Sequence, residues 1–267
     1  MPEIVEVHTI AGALNKILSK RKLTAIKHDS KSKFSRHPIK NLDQLTLPCK
    51  IKSVTARGKK IIFTLDSGQF LVSSLGMEGR WVPKPERHSN LWIECGEFLF
   101  YYDDSRHFGD FNVALNQSEL DDVMKTVGYC LLTQRDQITS EWWAKQFSNK
   151  RIKKPVCDYL LDQSRFSGIG NWVRAEVLYR ARINPYRKIY ELSSEEVETL
   201  RQSTFNVIDE AFSSYGLTLR TYKDPLGREG TFERSCYGRE NDPLNNKVQQ
   251  DKVGAGRTIH WVPAVQK

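Results

Sequence analysis

"LLDQSRFSGIGNWVRAEVLYRARINP", residues Leu160–Pro185, is the stretch whose reading decides the fold. Its first residues close a helical run, "KPVCDYLLDQ", that starts at Lys154 with a proline suited to a first turn. "SGIGN" interrupts, because Gly168 and Gly170 free the backbone for a sharp turn. "WVRAEVLYRARI" then resumes the helical period until Asn184 and Pro185 stop it. At such a junction the first N–H groups of the second helix point at whatever faces them, which makes a ready anion site, and Asn171 adds a side-chain donor. Taken alone, the fragment also fits a plain helix–helix turn. The basic run "NKRIKK" (Asn149–Lys154) ahead of it adds weight to a phosphate.

The helical period continues on both sides. "SEWWAKQF" is a short helix, and "SSEEVETLRQSTFNVIDEAFSSYG" opens on a capping box, Ser193 to Glu196, and closes on Gly216. Before residue 126 the pattern is different. "LTAIKH", "IKSVTA", "KIIFTLD", "QFLVSSL", "LWIEC", "FLFYY" and "FNVAL" are short, rich in β-branched and aromatic residues, and separated by turn formers such as "DSG" and the "VPKPERHSN" loop. Ahead of them Ile4, Val7, Ala11, Leu14 and Leu18 recur at three-to-four spacing, one amphipathic helix. The expected class is α+β: an N-terminal helix with an antiparallel β-sandwich over residues 1–126, a helical domain over 127–238, and a polar, strand-like tail over 239–267.

Length and charge agree with that division. At 267 residues the chain is long for one domain. Lys plus Arg number 41 against 32 Asp plus Glu, a net +9 that suits a polyanion, nucleic acid being the usual one. No apolar run approaches the roughly 20 residues of a membrane span. Glu3 and Glu6 interrupt any signal-peptide layout, so an intracellular protein is expected, in cytoplasm, nucleoid or nucleus. Five scattered cysteines (Cys49, Cys95, Cys130, Cys157, Cys236) form no C-x-x-C pair, which indicates neither a disulfide framework nor a zinc knuckle.

Three short stretches can carry chemistry. "MPEIVEV" is either an ordinary first helical turn or, once Met1 is trimmed, a secondary amine at Pro2 beside Glu3 and Glu6. In "ARGKK", Lys59 or Lys60 can reach a phosphate, or simply be solvated at a strand mouth. "LGMEG" and "DDSRHFGDF" read as loops between strands. Their Met77 and Phe108, with Arg106, are either core residues or the apolar wedge and cation that refill a base stack after a nucleotide is extruded.

Together these motifs resemble the formamidopyrimidine-DNA glycosylase/endonuclease VIII family. "MPE..EV", "ARGKK", "LGMEG", "DDSRHFG", the Leu160–Pro185 string, "CYGRENDP" and "GRTIHWVPAVQK" follow the family order along nearly the whole chain. The resemblance implies a helix–two-turn–helix domain with a capping loop in "TYKDPLGREGTFERSCYGR", and a C-terminal hairpin finger. It implies a bifunctional glycosylase and abasic-site lyase that needs no cofactor and acts as a monomer on duplex DNA. Pro2 is then the nucleophile at C1′ of the damaged nucleoside, Glu3 the proton handler, and Glu6 a further acid. Lys59 contacts the lesion-side phosphate, Lys154 and Asn171 contact phosphates, and Arg257 clamps them from the hairpin tip. Met77, Arg106 and Phe108 are the void-filling trio, and His88 is a further DNA contact. The chemistry is sound: an α-amine has a pKa of about 7.7–8.0 against about 10.4 for lysine, so more of it is unprotonated at neutral pH. A secondary amine can form an iminium with the sugar, and that electron sink acidifies the C2′ proton for elimination.

The chain departs from the family pattern at Ile4 and Val5, where Gly-Pro or Leu-Pro is usual, and at His107, where arginine is common. In place of four zinc-binding cysteines the tail reads "LNNK" (244–247) and "VPAV" (262–265), so a zinc-less finger is expected. Ring-opened and oxidised purines are the favoured substrates, with oxidised pyrimidines the alternative. A damage-binding protein that does not cut is the competing class, and retention of Pro2, Glu3 and Lys59 together argues against it.

Overall fold

Helix α1 (Ile4–Leu18) begins where the apolar period begins, and Glu3 is its N-cap. The Glu3 backbone N–H donates to the Glu6 carboxylate at 2.8 Å, tying down the chain entering the first turn. Ile4 and Val5 are fully buried, so the departure from the family pattern leaves this turn helical. Ile10, Leu14 and Leu18 join the core of the strands that follow, each burial stabilising by about 1.5–3 kcal/mol. This computed structural model describes residues 2–217, 224–254 and 256–267. It divides into two compact units, residues 1–126 with 218–230 and residues 127–217 with 231–267. Residues 221–223 of the expected capping loop lie outside the described residues.

The first unit continues with β1 (Lys22–His28), β2 (Cys49–Arg57), β3 (Lys60–Leu65), β4 (Phe70–Ser74), β5 (Arg80–Val82), β6 (Ser89–Cys95), β7 (Phe98–Asp103) and β8 (Asp110–Ala114). They pair antiparallel in the order β5-β7-β6-β1-β2-β3-β4-β8. β1 and β2 meet only at Lys22↔Lys50 and Leu23↔Cys49. Trp81 on β5 is fully buried and lies 5.8 Å from Phe63 on β3 and 6.1 Å from Phe111 on β8, between ring centroids. Strands β5 and β8 stand at opposite ends of the hydrogen-bonded order, so these contacts require the sheet to fold back on itself. Two facing layers around an aromatic core result, the expected sandwich.

Two elements of this unit were not expected. The "VPKPERHSN" loop starts inside β5, an edge strand too short to show alternation. Helix α2 (Gln117–Met124) follows β8, capped by Asn116, whose side chain accepts the Glu119 N–H at 3.0 Å. It buries only Leu120 and Met124, too few positions to mark a period.

In the second unit α3 (Ser140–Phe147) lies where expected. The helix expected from Lys154 shrinks to a single turn, α4 (Val156–Tyr159). Beyond it the backbone tightens: Leu161 N–H bonds to Asp158 O at 3.3 Å and Asp162 N–H to Tyr159 O at 3.1 Å. Asp162 then turns the chain by accepting the Ser164 N–H at 3.0 Å and its hydroxyl at 2.6 Å. Helix α5 (Asn171–Arg180) stops before Asn184. Arg182 adopts φ 58°, with Arg182 N–H on Tyr179 O at 3.1 Å and Ile183 N–H on Leu178 O at 3.0 Å, a Schellman ending. Helix α6 (Ser194–Ser213) opens on the expected box: Ser193 N–H reaches Glu196 at 2.7 Å and Glu196 N–H reaches Ser193 Oγ at 3.2 Å. The tail forms a hairpin, β9 (Gln249–Val253) with β10 (Arg257–Trp261), paired from Arg257↔Val253 to Trp261↔Gln249.

Candidate active site and phosphate cleft

In the first unit Pro2, Glu3 and Glu6 are all buried, the acids 1% and 0% exposed. Burying two carboxylates within one helical turn is costly unless their charge is used or compensated. A helix that needed only a cap has no reason to bury both. Lys59 is half-buried on the two-residue turn between β2 and β3, next to Gly58, whose φ of 56° suits the first position of a tight hairpin. Lys60, its sequence alternative, sits inside the sheet, paired with Arg57 on one side and Ser74 on the other. The side chain of Asn15 on α1 accepts the Val54 N–H at 2.8 Å, fixing the helix against the strand that leads to this turn.

Met77 and Phe108 are not core residues: they are 37% and 58% exposed, whereas Phe63, Trp81, Tyr102 and Phe111 of the same unit are buried. The structure brings their loops together. A Cβ on Gly76 would stand 2.6 Å from both Gly109 N and Phe108 C, so the two loops touch backbone to backbone. The Ser105 hydroxyl bonds to the Glu78 carboxylate across the same junction. The Arg106 guanidinium carbon lies 4.9 Å from the Phe108 ring centroid. Buried Asp104 holds the loop from beneath, accepting from Arg106 N at 3.2 Å and Gly109 N at 2.7 Å. Lys33 Nζ adds bonds to the Gly109 and His107 carbonyls. His107 has φ 55°, and its Nδ1 is 3.4 Å from Asn90 Nδ2. His88 keeps an exposed side chain while its backbone N–H bonds Asp103 at 2.9 Å.

In the second unit Lys154 and Arg257 line one cleft of about 600 Å³, together with Asp158, Asp162 and Gln163. Gly254 (φ 50°) and Gly256 (φ 79°) carry the hairpin tip. A Cβ on Gly254 would lie 2.8 Å from Asp158 Oδ2, so the tip backbone rests against α4. Asn171 heads α5 and donates from Nδ2 to the Thr258 carbonyl at 2.9 Å, on the strand that begins with Arg257. Lys154, Asn171 and Arg257 are thus linked through α4, α5 and the hairpin. Sequence reasoning missed Arg174, Asp104, Lys33 and Gly76. Arg174 had a signal, a charge amid the apolar residues of α5; Lys33 had none.

The positions matching the family's zinc ligands do not fit a metal. Val262 is fully buried in a small apolar cluster with Cys236 and Val248, against which Val265 packs, and Leu244 is 74% exposed. None of these side chains, nor Lys247, can replace the Cys and His ligands of a structural zinc. The five cysteines are buried. Burial pushes Cys157 and Cys49 up to about 11 and Cys95 up to about 12. These three stay protonated at neutral pH, which argues against them as nucleophiles. Among the described residues no helix is long and apolar enough to cross a membrane.

Comparison with known proteins matches three family models along the chain. They are the formamidopyrimidine-DNA glycosylase N-terminal domain over residues 1–111, its H2TH domain over 132–223 and its C-terminal domain over 224–267. A formamidopyrimidine-DNA glycosylase of Exiguobacterium sp. is 31% identical, covering 100% of both chains. The crystal structure of the MutM (Fpg) protein of Thermus thermophilus has a TM-score of 0.90 at 27% identity, over 99% of this chain and 98% of that one. A Lactococcus lactis FPG mutant in complex with DNA containing Fapy-dG has a TM-score of 0.87 at 25% identity, over 100% of each chain.

Proposed function

The chain belongs to the formamidopyrimidine-DNA glycosylase family, and on that premise we propose that it excises ring-opened and oxidised purines from duplex DNA through Pro2. It is a DNA glycosylase of base excision repair with the abasic-site lyase chemistry of its family. The observation that carries the assignment of Pro2 is the burial of that proline with Glu3 and Glu6 at the head of α1.

The roles follow from chemistry. With Met1 removed, the Pro2 nitrogen attacks C1′ and the bond from C1′ to the base breaks, the base leaving with a proton. Glu3 protonates the sugar ring oxygen, the ring opens, and the nitrogen lone pair closes a cationic iminium at C1′. Loss of the C2′ proton then expels the 3′ phosphate and cuts the strand. Hydrolysis of the iminium returns the free amine. Glu6 holds the Glu3 backbone N–H and so orients the acid beside the amine. Lys59 takes the lesion-side phosphate. Lys154, Asn171 and Arg257 hold the neighbouring backbone, and Met77, Arg106 and Phe108 fill the gap left by the extruded nucleotide, with His88 a further contact. We take residues 1–126 as the catalytic domain, 127–238 as the helix–two-turn–helix domain and 239–267 as a finger that needs no zinc. The protein works as an intracellular monomer.

The preference for purines draws support from the Lactococcus lactis complex with Fapy-dG DNA, although His107 stands where the family commonly reads with arginine. A panel of duplexes, each with one defined lesion, incubated with borohydride, tests both parts. A trapped protein–DNA adduct should form fastest on ring-opened purines and should map to Pro2. Preferential trapping on oxidised pyrimidines would overturn the substrate class, and an adduct mapping to a lysine would overturn the nucleophile.

A further inference from the structure

Arg174 is fully buried in α5, three residues after Asn171, and among the described residues it makes four contacts, one of them to Asp158 in the cleft wall. Its Nη2 donates to Asn171 Oδ1 at 2.7 Å and approaches the Thr258 carbonyl at 3.5 Å. Its Nη1 donates to the Cys157 carbonyl at 3.0 Å and lies 3.5 Å from Asp158 Oδ1. One guanidinium therefore touches α4, α5 and the strand that begins with Arg257. From this we infer that Arg174 is the positioning residue of the phosphate cleft, fixing which face of Asn171 and which register of the hairpin meet the DNA.

The argument starts from donors and acceptors. Guanidinium has no acceptor, so it takes the oxygen of the Asn171 amide and forces Nδ2 toward Thr258, where it bonds at 2.9 Å. Among the described residues no acceptor takes the second Nδ2 hydrogen, which is left for an anion. Without the guanidinium only the Thr258 bond orients the amide, and its oxygen loses the donor that holds it away from the phosphate. The Thr258 carbonyl, next in sequence to Arg257, is gripped by the same pair, so a shift there moves the clamp. Asp158 lines the cleft as an anion, and the guanidinium behind it offsets a charge that would otherwise repel phosphate. Lysine keeps the charge in this position but not the planar fork that serves several acceptors at once.

This inference rests on reading the cleft as a phosphate site, and a double-mutant cycle separates the two. Affinity for duplex carrying a tetrahydrofuran abasic analogue, which the lyase step cannot cleave, is measured across a salt series. Arg257→Ala should weaken binding about tenfold and lower the salt slope by about 0.9, one phosphate contact. Arg174→Lys, with no change in net charge, should also cost about tenfold and lower the slope, while costing under about twofold when Arg257 is already alanine. A merely structural role would leave the salt slope unchanged. Losses that simply add, or an unchanged slope in Arg174→Lys, overturn the inference while leaving the phosphate site standing. An Arg257→Ala protein with wild-type affinity and slope overturns the phosphate reading, and the inference with it. If Arg174→Lys fails to fold, Asn171→Ala keeps the guanidinium and serves instead. It should weaken binding by a similar factor, and unchanged affinity there also overturns the inference.

Discussion

Replacing Gly76 with alanine tests whether the Met77 and Phe108 loops act on DNA as a unit. Gly76 sits at φ 58°, where a side chain costs about 1–2 kcal/mol. Its new Cβ would stand 2.6 Å from Phe108 C and Gly109 N, and 2.8 Å from Phe108 O, all backbone atoms that no rotamer change can move. Ordinary contact begins at 3.4 Å, so the Phe108 loop must retreat by 3.4 − 2.6, roughly 0.8 Å. Retreat is resisted. Gly109 is bonded to Asp104 at 2.7 Å, and the Tyr102 hydroxyl lies so near that a Cβ on Gly109 would overlap it at 1.6 Å. Backbone strain plus one weakened hydrogen bond of about 1 kcal/mol gives a destabilisation of about 2–3 kcal/mol. For a chain of this size that lowers the melting temperature by roughly 5–10 °C. Misplacing the wedge should slow excision from duplex by about 10- to 100-fold. Excision of the same lesion from a single strand, where no stack needs refilling, should change only a few-fold. Equal losses on both substrates well below the melting temperature would refute the intercalating role. An unchanged melting temperature would refute the packing argument.

Three further outcomes are expected. Pro2→Gly should abolish most borohydride trapping, read as an adduct on a denaturing gel, and adduct yields at the wild-type rate would assign the nucleophile elsewhere. Glu3→Gln keeps size and hydrogen bonding but cannot exchange protons, so excision should fall by about 10²–10⁴-fold while affinity for abasic-analogue duplex stays near wild type. Burial pushes the Asp242 carboxyl up, but hydrogen bonds from Asn246, Tyr179 and Leu244 outweigh it and hold the group below the ordinary carboxylate range. A depressed pKa contributes stability above the unfolded value, about 3.9, that is lost as pH falls through the folded one. Asp242→Asn should therefore lower the melting temperature at pH 7 and flatten its decline at acid pH, and parallel melting curves across pH would disprove that link.

Much of this was legible in the sequence because the deciding signals are local. The Ser193 box, the Gly168–Gly170 turn and the period of α1 each depend on neighbours within four residues. The β9–β10 hairpin is equally local, since "TIHWV" and "KVQQDKV" lie on either side of Gly254 and Gly256. What was missed depends on distant partners. Lys33 clasps carbonyls more than 70 positions away, at His107 and Gly109, and nothing near "KSKFS" announces it. The run after Lys154 has helical composition, yet Asp162 and Ser164 draw the backbone into a tight turn, because a short polar side chain competes with the helical bond. Met77 and Phe108 were ambiguous for a related reason. Apolar character cannot distinguish a core residue from a wedge, and only exposure decides it.

In the finger we propose to need no zinc, side chains gather the two stretches that match the family's knuckles, "LNNK" and "VPAV". A structural zinc pins two knuckles at one point. Here the first knuckle is gathered by the Asp242 carboxylate, which accepts from Leu244 N at 2.9 Å, Asn246 N at 2.7 Å, Asn246 Nδ2 at 3.0 Å and the Tyr179 hydroxyl at 3.0 Å. The second is closed by Gln266, whose Oε1 takes the Val262 N–H at 2.7 Å while Nε2 bonds the Ile183 carbonyl at 2.9 Å. Between them Val262 joins an apolar cluster with Cys236 and Val248, so burial supplies attraction where the cysteine thiolates supplied ligation. Two anchors lead to one helix: Tyr179 stands near the C-terminal end of α5 and Asn171 at its start. Those residues are eight positions apart, about 12 Å along the axis. A single helix thus anchors both the knuckle and the strand carrying Arg257. Chelators should accordingly leave the geometry of the clamp untouched, whereas any change that loosens α5 reaches both of its ends.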